Sequence, residues 1–264
     1  MVVLECALAL EFVDRNIIFE KNQYLARFLY DWQQSLFDPS QNAYEAGEEV
    51  WLDMDAEAPD VLTEEQARDL NLEHENYCRA MKDPFEVPPP VFQRAECCIA
   101  ELGAESFEQF VGLIGPAFEK LSVAMEWEEL LFITAYRDAY LAQQNDYPPA
   151  ERAADTLKKL GFGADYSGGV ISKRNENSKV LGPLFTLQRY NASAPYVNLA
   201  AAGSSVVGML CKYGNIHFEG YDRDEFTHFK VVLEDCGFRV PEDGICEEKF
   251  SQNDLTEGRR IVLD

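Results

Sequence analysis

Over residues 2–38, apolar side chains return at steps of mostly three and four: Phe12, Ile17, Ile18, Tyr24, Leu25, Phe28, Leu29, Trp32 and Leu36. That spacing fits the 3.6-residue period of a helix with one buried face and predicts one or two helices, with a break near Asn16. The period lapses over residues 38–62, where Pro39, Gly47 and Pro59 mark a long surface excursion. Thr63-Glu64-Glu65-Gln66 then reads as a capping box that opens a helix running to about Met81. Pro88, Pro89 and Pro90 stand in succession and favour a stiff, extended polyproline segment.

Beyond the prolines, Val91, Phe92, Ala95, Cys98, Ile99 and Leu102 form a stripe at helical spacing that ends at Gly103. A second capping box at Ser106 to Gln109 opens a helix with Phe107, Phe110, Val111, Ile114, Phe118, Leu121 and Met125 on one face; Gly115-Pro116 should kink or divide it. Residues 127–143 are apolar almost all round, which predicts a helix in the middle of a bundle. Pro148-Pro149 starts a further helix that stops at Gly161. In the remainder, residues 184–190, 215–219 and 259–263 read as strands and the small-residue segment 197–210 as a helix. Asp222 caps a helix that buries Phe226, Phe229, Val232, Leu233 and Cys236 before Gly237. The expected fold is mostly α with a smaller α+β part: an acidic helical bundle over residues 1–160, then a mixed helix and strand domain over 161–264.

Composition adds an asymmetry to this picture. The chain of 264 residues is 47% apolar, ample for a buried core, and carries a formal charge of −24. Residues 1–150 hold 30 acidic against 9 basic side chains, whereas 151–264 hold 17 against 14. The excess peaks over residues 38–108, with nineteen carboxylates and only Arg68, Arg79, Lys82 and Arg94 to oppose them. A surface of that sign does not attract free nucleic acid, which needs a basic patch and the counterion release that follows. Seven cysteines, odd in number and scattered, fit a reducing compartment. The apolar start lacks the basic residues of a signal peptide, and no run reaches the length of a membrane span. A cytoplasmic location is expected.

Four groups could carry chemistry. His217, Glu219, Asp222, Asp224, Glu225 and His228 would suit a metal or acid–base role if they converged, but the histidines are eleven positions apart, which matches no helix face, and Asp222 is more economically a cap. Cys211, Cys236 and Cys246 have irregular spacing with no C-x-x-C and read as core thiols. Gly203-Ser204-Ser205-Val206-Val207-Gly208 lacks the spacing of a nucleophile elbow, and Lys173, Arg174 and Lys179 form the main basic cluster, in a polar loop. No catalytic residue, metal or cofactor is assigned, and the chain is expected not to be an enzyme.

What remains is Glu48, Glu49, Trp51, Asp53, Asp55 and Glu57, carboxylates around one large aromatic, a combination that protein interfaces use for on-rate and affinity respectively. In this character the chain resembles the cytosolic immunity proteins with which bacteria neutralise secreted toxins, such as nuclease effectors of type VI systems. The resemblance rests on the acidic stretch and the lack of a catalytic signature, not on a shared motif. It implies a non-catalytic inhibitor whose acidic face meets Lys and Arg of a basic toxin, with Trp51 or Trp32 as anchor, without nucleic acid or membrane as a direct partner. The alternatives are a nucleic-acid mimic that blocks a defence enzyme, and a metal-dependent enzyme built on the His217 and His228 region.

Overall fold

The structure, a computed structural model, describes residues 10–52, 57–141 and 146–250. In chain order the elements are β1 (Leu10–Val13), α1 (Arg15–Lys21), α2 (Gln23–Leu36), β2 (Glu49–Val50), β3 (Asp60–Val61), α3 (Glu64–Met81), β4 (Glu96–Leu102), α4 (Phe107–Ala124), β5 (Glu129–Thr134), α5 (Pro148–Lys159), β6 (Gly169–Lys173), α6 (Asn177–Tyr190), β7 (Val197–Ala201), β8 (Val206–Leu210), β9 (Asn215–Gly220), α7 (Arg223–Asp235) and β10 (Phe238–Arg239). Eight strands form one antiparallel sheet in the order β1-β6-β5-β7-β8-β9-β4-β10, and β2 pairs with β3 apart from it.

This corrects the expectation of a mostly α protein with an N-terminal bundle: the fold is mixed α/β around a large sheet. Residues 129–134, expected in a bundle helix, are β5, because helices cover both faces of the sheet and a strand buried on both faces shows no alternation. Residues 96–102 are β4, whose Cys98, Ile99 and Leu102 fall at helical spacing by chance. Residues 197–210 are the β7–β8 hairpin, and residues 184–190 lie inside α6, which is buried nearly all round and so has no amphipathic period. The boundary expected at 160/161 is crossed by the sheet, since β6 joins β1 to β5 and β4 pairs with β9 and β10. The strand expected at 259–263 lies outside the described residues.

Two cores flank the sheet. On one face, Ile18 of α1 and Leu25 and Leu29 of α2 pack on Leu131, Ile133, Ile171, Ala200 and Val207. The chain breaks between these helices at Asn22, not Asn16. There the Asn22 side chain accepts from Leu25 N at 2.8 Å while donating to the carbonyls of Ala201 and Ser204, both at 2.8 Å. On the other face α4, α5, α6 and α7 bury Phe110, Phe118, Leu157, Phe185, Phe226 and Phe229 against Leu130, Phe132, Ile216 and Phe218. Gly115-Pro116 does not divide α4. The glycine instead lets α4 meet α6, since a Cβ there would lie 2.5 Å from Ser178 Cα.

One polar cluster ties the two ends of the N-terminal region together. Arg15 donates through Nε and Nη2 to Asp83 at 2.6 and 2.8 Å, and through Nη1 to Thr134 Oγ1 at 2.9 Å. Gln33 donates to Asp83 Oδ2 and accepts from Asp83 N, both at 2.8 Å. Every member is buried, so these pairs replace hydration that the groups lose on folding.

Candidate functional site

The acidic region builds its own small lobe before the chain enters the sheet. Gly47, at φ +88°, turns the chain into β2, and Gly47 N and Leu62 N donate to Leu62 O and Glu48 O at 2.8 and 2.9 Å, closing the hairpin. The capping box is formed as the sequence predicts: Thr63 Oγ1 accepts from Gln66 N, and Gln66 Oε1 accepts from Thr63 N. Glu64 and Glu65 then occupy the first turn of α3, where the helix dipole favours negative charge. Only Ala67 and Cys78 of this 18-residue helix are buried. The Asn71 side chain clips it to the Tyr44 backbone, accepting from Tyr44 N and donating to Tyr44 O, and Tyr77 meets Phe37 edge-on, which in turn meets Tyr136.

Of the residues expected to bind a partner, Glu48, Glu49, Trp51 and Glu57 are exposed on this lobe, and Asp53 and Asp55 lie outside the described residues. Glu45, Asp60, Glu64, Glu65, Asp69, Glu73 and Glu75 are exposed with them. Among them stand Trp51, Leu52, Val61, Leu72 and Tyr77, each 48–60% exposed. The lobe's exposed cations are spoken for: Arg68 pairs with Glu65 and Asp69, and Arg79 with Glu75. The later acids of the 38–108 stretch take other roles. Asp83 is buried against Arg15, Glu96 pairs with Lys230, and the buried Glu101 pairs with Arg239 and Lys249.

Beside the lobe, the polyproline segment folds back over α1 and α2. Phe85 packs on Phe19 and Tyr30, and Arg27 donates to Pro89 O at 3.2 Å. A cleft of about 770 Å³ opens between this segment and α1. Its wall is apolar at Phe19, Phe85, Val87 and Pro90, and its rim carries the exposed carboxylates of Asp14, Glu20, Glu86 and Asp165 beside the exposed Arg137.

The histidine and carboxylate group does not converge. Ile216 and Phe218 of β9 point into the core shared with α7, so His217 between them points to the opposite face, while His228 is exposed on α7. Glu219 pairs with Arg94, Asp222 caps α7, and Glu225 accepts from the hydroxyls of Ser204 and Ser205 at 2.6 and 2.5 Å. Ser204 and Ser205 are thus spent on fixing the turn before β8. Arg174 pairs with Glu128, and Lys179 with Glu176.

His217 instead meets two of the three cysteines read as core thiols. Its Nε2 lies 3.1 Å from Cys246 Sγ, which lies 3.6 Å from Cys211 Sγ, and Asn215 Nδ2 lies 3.3 Å from Cys246 Sγ. Burial pushes the Cys211 thiol up to about 12 and holds the His217 imidazole below its usual value, so both favour the neutral form. Cys236 stays apart at the C-terminal end of α7. No spacing rule links positions 211, 217 and 246; a hairpin and the loop after β10 bring them together.

No helix among the described residues is long and apolar enough to cross a membrane. No family model, curated protein or solved structure matches the chain.

Proposed function

We propose that this protein works by binding: its acidic lobe captures a basic protein and blocks it, in the manner of an immunity protein that neutralises a secreted toxin. The observation that carries the reading is the mixture of carboxylates and large apolar side chains exposed together over residues 45–77. Charge alone is the usual state of a solvated surface. Five large apolar side chains left in water beside it are what a protein partner would cover. The carboxylates then raise the encounter rate with a Lys- and Arg-rich surface, and the apolar groups supply the affinity that persists in salt. The rim of the neighbouring cleft, where four exposed carboxylates outnumber the exposed Arg137, supports the same choice of partner. Exposed aromatics and aliphatics favour a protein over a role as nucleic-acid mimic, for which carboxylates in phosphate-like rows would suffice.

The test is co-expression with the products of adjacent reading frames, then kinetics on any basic protein that forms a stoichiometric complex. Glu64→Gln/Glu65→Gln/Asp69→Asn should lower the association rate about tenfold at low salt and leave dissociation nearly unchanged. Trp51→Ala should raise the dissociation constant about thirtyfold, roughly 2 kcal/mol for a buried anchor. Binding that ignores both changes, in proteins with unaltered circular dichroism, would reject the lobe as the docking surface.

A further inference from the structure

We propose that Cys211, His217 and Cys246 bind one zinc ion and thereby fasten the segment after β10 to the sheet. Each ligand is placed by a separate device. Cys211 sits at the head of the β8–β9 turn, where its N donates to Asn215 O at 2.9 Å and its O accepts from Gly214 N at 3.0 Å, with Gly214 at φ +79°. His217 is fixed by the β9 ladder, opposite Met209 of β8 and Ile99 of β4. Cys246 belongs to an irregular segment, yet the residues after it are clamped. Glu248 accepts twice from the fully buried Arg189, at 3.1 and 2.9 Å, Lys249 pairs with Glu101, and Phe250 packs on Phe107 and Phe110.

The distances suit the ion. With Zn–S near 2.3 Å and Zn–N near 2.05 Å, tetrahedral angles put two sulfurs about 3.8 Å apart and a sulfur and nitrogen about 3.6 Å apart. Here the corresponding separations are 3.6 and 3.1 Å, and all three ligand atoms lie within 4.8 Å of one another. Shifts of about half an ångström at Cys246 and of up to roughly 1 Å between Cys211 and His217 would complete the site, leaving a fourth position for water or a small ligand. Two cysteine thiolates and one imidazole form a donor set that takes a divalent ion with its charge neutralised, and binding the ion would release the thiol protons. Asn215 Nδ2, directed at Cys246 Sγ, is the outer hydrogen bond that steadies a metal-bound thiolate. These donors are soft, which selects zinc over magnesium or calcium.

The experiment uses the reduced full-length chain, stripped with chelator and titrated with Zn²⁺ against a chromophoric competitor, and in parallel with Co²⁺. One equivalent of zinc should bind with a submicromolar dissociation constant, and the cobalt form should show thiolate-to-metal charge transfer. Cys246→Ser should weaken zinc at least a hundredfold and abolish the charge-transfer band, whereas Cys236→Ser should change neither. Zinc at about a hundred times its dissociation constant should raise the thermal midpoint of the parent and not of Cys246→Ser. Any one of three results would overturn the site: no stoichiometric zinc, cobalt spectra without thiolate character, or peptide mapping that finds Cys211 and Cys246 joined as a disulfide under the same reducing conditions. The cobalt spectrum of the unaltered chain decides the ligand chemistry even if a cysteine variant fails to fold.

Discussion

Removing the Asp83 carboxylate should cost far more than its one exchanged side chain suggests. Asp83 accepts from Arg15 Nε, Arg15 Nη2 and Gln33 Nε2 at 2.6, 2.8 and 2.8 Å, and its side chain is 2% exposed. Asp83→Ala would leave a guanidinium that is 8% exposed without its counter-charge. Breaking a buried pair from one side costs about 3–5 kcal/mol. The carbonyls of Thr134, Tyr136 and Ser167 still face Arg15, which places this variant at the low end, about 3 kcal/mol. Arg15→Met strands the carboxylate with Gln33 alone and should cost about 4 kcal/mol. The double variant strands neither charge and should also cost about 4 kcal/mol, not the sum, a coupling of about 3 kcal/mol. Urea unfolding at neutral pH reads this directly: with a slope of about 3 kcal/mol/M, Asp83→Ala lowers the midpoint by about 1 M. Additive single variants, or single costs below about 1 kcal/mol, would refute the view that this pair holds the polyproline segment to α1 and β5.

Two glycines on α4 should respond with opposite sign. Gly112 is exposed with open space at its Cβ position, so Gly112→Ala should raise stability by about 0.5–1 kcal/mol, whereas Gly115→Ala meets the Ser178 backbone and should cost about 1–3 kcal/mol in the same urea assay. Tyr140 is fully buried and its hydroxyl has no hydrogen-bond partner among the described residues, so Tyr140→Phe should stabilise the protein by about 1 kcal/mol. Burial also raises the native phenol of Tyr140 above its ordinary value of 10.0. The unfolded state therefore loses the proton first, and this residue makes stability fall as pH rises past 10; the parent should lose ground to Tyr140→Phe on that side, read from urea midpoints at pH 8 and 10.5.

Several local features were legible because the signal and the structure are both local. The Thr63 box, the Ser106 and Asp222 caps, the stop at Gly161 and strand 215–219 each depend on residues within a few positions of one another. The exposure of Glu48, Glu49, Trp51 and Glu57 belongs with them, since a segment so rich in carboxylates cannot be buried without counter-charges. The fate of β5 was not legible. An apolar run such as Glu129–Thr134 reads alike as a core helix or a doubly covered strand, and only partners at β6 and β7 decide between them. The acids of residues 83–108 look alike in sequence too. Asp83 and Glu101 are inside because Arg15 and Lys249, 68 and 148 residues away, arrive to neutralise them. The thiol and imidazole cluster is of the same kind: its members lie on a turn, a strand and a loop, so no periodicity could have joined them. Local chemistry thus fixed the caps, the turns and the charge of the lobe. Which apolar runs became strands, which carboxylates were buried and which cysteines met a histidine depended on long-range pairing, because each is settled by a partner that the neighbouring sequence does not contain.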